Sequence, residues 1–355
     1  MPELPHLWMR HETRQTERRT PIVPDDARRL VEAGATVTVE ESPQRVFPTE
    51  EYLAAGCRIA APGSWAGTPA DTVVVGLKEL PILPAALAHR HVYFGHAYKR
   101  QEGAQDLLGR FAGGGGILLD IEYLTDDQGR RLASFGHWAG YVGAALSVLR
   151  FRGRLEVPLR PSGKDELDAA LVPRPGDRTP RVLVIGALGR CGRGARAALA
   201  AAGIEPTRWD VEETRELDRA ALLDHDILVN TVLAHEPIPP FLTHGDLDRT
   251  DRRLSLICDV TCDVTSQCNA LPIYDRVTSW PEPVLRLRGA DRPLDLIAID
   301  NLPSLLPLEA SVAFSAELTP HLLMIEQRPA VWRRCVDAFR DASRQAGIDR
   351  SYADA

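Results

Sequence analysis

The run V-V-V-G-L-K-E-L at residues 73–80 carries an apolar strand straight into two adjacent opposite charges, Lys78 and Glu79. A second run, Y-F-G-H-A-Y-K, places His96 and Lys99 just beyond another apolar stretch. Lysine and histidine move protons near neutral pH once burial and neighbouring charges tune them. In open α/β sheets the carboxyl ends of the strands face the crevice where ligands bind, so these positions fit an acid–base site. Taken singly, each has a plainer reading as a solvated strand end, with Lys78 and Glu79 forming a salt bridge. Cations add a second chemistry: Arg14, Arg18 and Arg19 lie in R-H-E-T-R-Q-T-E-R-R, and Arg130 and Arg131 in D-D-Q-G-R-R. Guanidinium forks bind carboxylates in bidentate fashion, so convergence of these arginines implies a di- or tricarboxylic substrate. Without convergence they are surface charges.

A third motif is V-L-V-I-G-A-L-G-R-C-G-R-G-A-R-A-A-L, an apolar strand that meets Gly186, Gly189 and Gly192 and then an alanine-rich helix. Such a turn lets backbone N–H groups and a helix N-terminus approach a pyrophosphate unobstructed. The spacing is G-x-x-G-x-x-G rather than the commoner G-x-G-x-x-G. Asp210, closing the next strand at R-W-D, strengthens the reading. An acid there accepts hydrogen bonds from ribose hydroxyls and repels a 2′-phosphate, which selects NAD over NADP. The alternative is an ordinary βαβ turn followed by a surface aspartate.

Elements that would position these groups alternate between strand and helix patterns, as in an α/β protein with parallel sheets. The first series has strands near Leu7–Arg10, Thr36–Glu40, Thr72–Val75, Val92–Gly95 and Ile117–Ile121, with a helix from Pro24 to the residues before Gly34. The run Gly113–Gly116 reads as a turn. After the polar stretch P-R-P-G-D-R-T-P, a second series has strands at Arg181–Gly186, Arg208–Asp210, Asp226–Thr231 and Ser255–Val260. A long apolar helix, F-G-H-W-A-G-Y-V-G-A-A-L-S-V-L-R, crosses between the two series, and the C-terminal segment returns to helix with Trp332, Val336 and Phe339 on one face.

The chain has 355 residues and a net charge of −7, with no long basic run, which argues against a nucleic-acid partner and for a small one. No apolar run approaches the ~20 residues of a membrane span, and the first residues lack a signal-peptide pattern, so a cytoplasmic protein is expected. Six cysteines follow no disulfide framework; Cys258, Cys262 and Cys268 cluster without a Cys-x2-Cys pair, and no metal is expected.

Longer strings resemble one family along almost the whole chain: L-W-M-R-H-E-T, E-E-S-P-Q-R-V-F, G-C-R-I-A-A-P-G-S-W, G-L-K-E, F-G-H-A-Y-K, D-Q-G-R-R-L-A-S-F-G, V-I-G-A-L-G-R-C-G, L-P-I-Y and I-D-N-L-P-S-L-L-P-L-E-A-S. They resemble the NAD-dependent, lysine-forming saccharopine dehydrogenases, with a more remote likeness in fold to alanine dehydrogenase and transhydrogenase. The resemblance implies an α/β monomer of two Rossmann-like domains with parallel sheets and an interdomain active-site cleft. Residues 1–138 plus about 310–355 would form the substrate domain and 139–309 the NAD-binding domain. The implied reaction is oxidation of a secondary amine by NAD to an imine, which water splits into an amino acid and a 2-oxo acid, here lysine and 2-oxoglutarate.

Carried onto this chain, the resemblance implies Lys78 as the base for the amine proton and His96 as the acid–base group for hydration and collapse of the carbinolamine. It implies substrate contacts from Arg19, Glu79, Lys99, Gln101, Arg131, Phe135, Thr261, Cys262 and Asp263. Cofactor contacts would come from Arg130, Gly186, Gly189, Arg190, Asp210, Thr214, Leu233, Val260, Ile299, Asp300, Asn301 and Leu302. The chain departs from the family pattern with Arg14 in place of lysine, Asn301 in place of histidine, Thr231 where a cysteine could pair with Cys191, and Cys262 within V-T-C-D-V-T. Two other readings stay open: the same chemistry on another N6-substituted lysine or hydrazine, such as a carboxymethyl derivative, and a catalytically silent NAD-binding regulator.

Overall fold

The computed structural model describes residues 4–98, 103–234, 236–264, 266–289 and 291–348. Lys99 and Gln101 lie outside these described residues. The chain divides into two compact units, Met1–Ser134 with Ala310–Ala355, and Phe135–Glu309.

The first unit is built on six strands: β1 (His6–Met9), β2 (Thr36–Glu40), β3 (Arg58–Ala60), β4 (Val73–Val75), β5 (Arg90–Tyr93) and β6 (Ile117–Asp120). They pair in the order β3-β2-β1-β4-β5-β6, all parallel. Val73, Val74 and Val75 are wholly buried, as strands covered on both faces require. Helix Pro24–Glu32 starts with proline in its first turn and Asp25 and Asp26 beside the positive end of its dipole. The glycine run departs from its reading as a turn. Gly113 and Gly114 close helix Ala104–Gly114, and only Gly115, at φ 79°, makes the left-handed cap. A Cβ on Gly114 would fall 2.2 Å from the Leu87 carbonyl, so glycine here allows close packing as well as a turn. In the last helix, Ala330–Gln345, the buried stripe is Trp332, Cys335, Phe339 and Ala342, with Val336 only half-buried beside it.

The second unit carries β7 (Val182–Ile185), β8 (Thr207–Trp209), β9 (Ile227–Asn230), β10 (Leu256–Asp259), β11 (Leu285–Arg288) and β12 (Leu294–Ile297). Their order is β11-β12-β10-β9-β7-β8, parallel except at the edge, where β11 runs antiparallel to β12. The sheets are parallel as expected but for that edge, where R-L-R in β11 is half-exposed and lacks the apolar run of a buried parallel strand. The long helix Gly136–Phe151 opens this unit and packs on helix Arg190–Ala201. Small residues bring the two backbones together: a Cβ on Gly140 or Gly194 would fall 1.8 Å from the carbonyl of Cys191 or His137.

Both sheets have a topological switch point, where neighbouring strands send their connections to opposite sides and leave a crevice at their carboxyl ends. In the first unit it lies between β1 and β4, and in the second between β7 and β9. Among the described residues no helix is long and apolar enough to cross a membrane.

Candidate active site

Lys78 stands past the end of β4, at the first unit's switch point. The ladder between β1 and β4 gains one further bond, Arg10 N–H to the Val75 carbonyl at 3.0 Å, and then side chains take over. The Glu12 carboxylate accepts the Leu77 N–H at 2.7 Å and the Lys78 N–H at 3.0 Å, and Arg10 Nη1 donates to it at 3.2 Å. Arg10 Nη2 donates to the Lys78 carbonyl. Arg10 and Glu12 are buried, at 1% and 5% exposure. The strand-like run ending at Arg10 conceals both; the signal was a charged pair, R-H-E, directly after an apolar strand.

Beside Lys78, Glu79 takes Arg14 Nη2 at 2.5 Å. Burial pushes the Glu79 carboxyl up, but its own backbone N–H, Arg14 and Lys78 outweigh that and hold it below its ordinary value. His96, beyond β5, adopts a left-handed φ of 49° and stacks on Phe94 with ring planes 19° apart. Burial lowers its pKa, Lys78 and Arg131 add to that, and Glu122 and Glu79 oppose it. The imidazole is therefore neutral at pH 7, the form able to accept a proton.

Glu122 was not foreseen. It follows β6, donates its backbone N–H to Asp120 at 2.9 Å, and accepts Arg131 Nη2 at 3.1 Å. Asp120 also accepts the Gly95 N–H at 3.2 Å, so one carboxylate fixes the entry to both His96 and Glu122. Burial pushes the Asp120 carboxyl up to about 7, with Glu122 adding to the rise. Lys78, Glu79, His96, Glu122 and Arg131 thus form one electrostatically coupled group.

The other arginines are less alike than their spacing implies. Arg19 is buried and forked onto Glu17, with Nε and Nη2 at 2.8 and 2.6 Å from its two oxygens. Gln44 Nε2 donates to the carbonyls of Glu12, Arg14 and Glu17, which fixes the segment carrying these charges. Arg130 is exposed and turns onto Asp126 at 2.7 Å, while Arg131 faces Glu122.

In the second unit, Gly186 follows β7 with φ 79°, and a Cβ there would meet Thr231 Oγ1 at 2.7 Å. Thr231, which follows β9, donates to the Ile185 carbonyl at 2.8 Å, so it closes the switch point with a hydrogen bond where the family pattern has cysteine. A Cβ on Gly192 would lie 2.2 Å from the Gly186 carbonyl. Gly189 is the N-cap of helix Arg190–Ala201 and offers no side chain to cover its first N–H groups. The Asp210 carboxylate reaches back to this turn, accepting the Leu188 N–H at 2.9 Å, and also accepts the Val211 N–H at 3.0 Å. Asp210 and Glu213 form a reciprocal capping box, and Thr214 donates to the Asp210 carbonyl at 2.7 Å. A glycine cradle, a glycine-capped helix N-terminus and an acid tied to the turn fit an NAD pyrophosphate and ribose. Leu188 and Leu233, on the segments leaving β7 and β9, present exposed apolar side chains.

A second carboxylate organises the end of β10. Asp259 is fully buried and accepts Asn230 Nδ2 at 3.0 Å, Thr261 Oγ1 at 2.7 Å and the Tyr274 hydroxyl at 2.8 Å. Cys262 follows with φ 52°, its thiol on the Asp259 carbonyl at 3.1 Å, and Asp263 is half-buried. Val260 packs close to Gly143, whose Cβ would lie 2.9 Å from Val260 Cγ2. Ile299 and Leu302 put their side chains in the core, Asn301 is buried and Asp300 is exposed. Phe135 is the N-cap of helix Gly136–Phe151.

Residues 8–142 match the family described as alanine dehydrogenase/PNT, N-terminal domain. The saccharopine dehydrogenase [NAD(+), L-lysine-forming] of Schizosaccharomyces pombe is 40% identical, over 93% of this chain and 96% of its own. The enzyme of the same name from Emericella nidulans is also 40% identical, over 94% and 96%. Among solved structures, an L-alanine dehydrogenase superposes with a TM-score of 0.66 at 17% identity, over 94% of both chains. A transhydrogenase from Sinorhizobium meliloti gives 0.65 at 15%, over 90% of this chain and 94% of its own. Those two likenesses are of fold, whereas identity of this degree along nearly all of both chains is of family: the protein belongs to the NAD-dependent, lysine-forming saccharopine dehydrogenases.

Proposed function

We propose that the protein catalyses the reversible, NAD-dependent oxidative cleavage of saccharopine to L-lysine and 2-oxoglutarate. The observation that carries this reading is 40% identity over 93% of the chain to an enzyme of that name. The second unit would hold the cofactor through the Gly186–Gly189 turn, Arg190 and Asp210, with further contacts from Thr214, Leu233, Val260 and Ile299–Leu302, and from Arg130 of the first unit. NAD held there would supply the hydride acceptor for oxidation of the substrate's C–N bond to an imine.

The chain's own residues manage protons and orientation. Lys78, neutral in the working form, takes the proton of the secondary amine. Its neighbouring cations favour the neutral state and Glu79 opposes them. His96, held neutral by burial, takes a proton from the water that attacks the imine carbon. It hands that proton to nitrogen to complete the carbinolamine, then carries the carbinol hydroxyl proton to the same nitrogen as the C–N bond breaks, leaving amine and 2-oxo acid. Arg131, Arg19, Glu79, Phe135 and the Thr261–Asp263 turn would orient the substrate's carboxylate and ammonium groups, together with Lys99 and Gln101. The protein would act as a cytoplasmic monomer, which sedimentation of the purified chain tests.

A substrate panel followed at the NADH absorbance decides the substrate. Saccharopine should be oxidised with kcat/KM well above that for N6-carboxymethyl-lysine and for related hydrazines, and lysine with 2-oxoglutarate should consume NADH in reverse. A preference for another N6-substituent would overturn saccharopine while keeping the reaction, and silence toward every amine would leave only NAD binding.

A further inference from the structure

The Lys78 N–H and C=O come just past ladder bonds at both sides of β4, Arg10 N–H to the Val75 carbonyl at 3.0 Å and Phe94 N–H to the Leu77 carbonyl at 3.4 Å, and peptide groups leaving a sheet still demand partners. Both are met by side chains from the end of β1: Glu12 takes the N–H and Arg10 gives to the C=O. We propose that the buried Arg10–Glu12 pair is the positioning device of the proton acceptor, fixing the Lys78 backbone and balancing the charge beneath its side chain. The inference rests on the reading of Lys78 as the base.

Three further observations support it. A buried ion pair is a poor source of stability, because desolvating two charges offsets most of their attraction, so its retention calls for a role in geometry. Gly76 makes room for it: a Cβ there would lie 2.3 Å from Arg10 Nε. Arg10 also reaches the neighbouring strand, with its guanidinium carbon 5.5 Å from the centre of the Tyr93 ring at the end of β5. The chain runs from Tyr93 to His96, so one side chain touches the strand ends that carry both proposed proton carriers.

The pair is also electrically neutral as a unit. Among the described residues, the other titratable groups that interact with Lys78 include Glu79, with its partner Arg14, and His96, which also feels Glu122 and its partner Arg131. Removing one member of the Arg10–Glu12 pair leaves an uncompensated charge of known sign. Glu12→Gln leaves Arg10, which disfavours the protonated lysine; Arg10→Met leaves Glu12, which favours it.

The test is the pH profile of kcat/KM for amine oxidation in Glu12→Gln and Arg10→Met, with Lys78→Met alongside. Rate rises with pH as the base loses its proton, so Lys78 sets the acid limb. That limb should move to lower pH in Glu12→Gln and to higher pH in Arg10→Met, each by about half a unit or more. In both, kcat should fall roughly tenfold while KM for NAD stays put. Glu12→Asp keeps the charge but withdraws the carboxylate from its N–H donors, so kcat should fall with the limb in place; it decides the matter if a charge-removing variant does not fold. Limbs that stay fixed or move in the same direction, or wild-type kcat in Glu12→Asp, overturn the proposal. Full activity in Lys78→Met would instead remove Lys78 as the base, a different failure.

Discussion

Glu122 Oε1 stands 4.0 Å from His96 Nδ1 while it accepts Arg131 Nη2 at 3.1 Å. Burial holds the imidazole below its ordinary value, and the Glu122 carboxylate is the foremost influence pulling it back up. Glu122→Gln should therefore lower the His96 pKa further, and the limb of the kcat–pH profile that reports His96 should move to lower pH. His96→Gln should abolish that limb and slow turnover by ~10². Losing Glu122 and freeing the Arg131 cation both act downward on the His96 pKa, so a limb that moves upward in Glu122→Gln would mean that it does not report His96.

Lys78→Met should reduce kcat by ~10² or more, the ordinary contribution of a positioned base. Lys78 is not among the residues proposed to hold the cofactor, so NAD affinity should be unchanged when titrated by fluorescence. Rates near wild type would return Lys78 to a charged strand end paired with Glu79.

The strands of both sheets were legible because buried parallel strands leave continuous apolar runs, as at Val73–Val75 and Val182–Ile185. β3, β11 and β12 were not, since Arg58–Ala60 is short, Leu285–Arg288 alternates arginine with leucine at a sheet edge, and Asp295 interrupts the apolar run of Leu294–Ile297. Helix Ala104–Gly114 was hidden by glycines that read as breakers but serve close packing against Leu87. At the candidate site, motifs pointed to Lys78, His96 and Asp210. The roles of the carboxylates that hold the strand ends, Glu12, Asp120 and Asp259, could not be read from the sequence, because their partners include backbone N–H groups and residues remote in sequence. Arg19 shows the same from the side of the cation: spacing marks it as a carboxylate binder but does not reveal that Glu17, two residues away, already holds part of its fork.

Asp210 combines a structural and a selective task that one substitution separates. The Leu188 and Val211 N–H groups bond to separate oxygens of Asp210, so Asn keeps one of the two bonds and remains a good N-cap, and Asp210→Asn should lower Tm only slightly. It removes the negative charge that repels a 2′-phosphate, so the ratio of kcat/KM for NADP over NAD should rise roughly tenfold or more. Asp210→Ala loses the cap as well and should cost about 1 kcal/mol of stability. An unchanged cofactor ratio in Asp210→Asn would remove this acid from the ribose site.

Glycine-to-alanine substitutions should act with opposite signs at two helical positions. A Cβ on Gly194 would lie 1.8 Å from the His137 carbonyl, in rigid backbone of the facing helix, whereas a Cβ on Gly113 would meet nothing within 4 Å. Gly113→Ala should stabilise by up to ~1 kcal/mol through helix propensity. Gly194→Ala must push helices Gly136–Phe151 and Arg190–Ala201 apart and should destabilise by about 2 kcal/mol or more. Helix Arg190–Ala201 starts at the glycine turn, so its displacement should weaken NAD binding together with Tm, while Gly113→Ala leaves affinity alone. Thermal melts with and without NAD separate these effects: a Gly194→Ala protein as stable as the parent would mean that the helices part without cost, and the close crossing would then not be what fixes the turn.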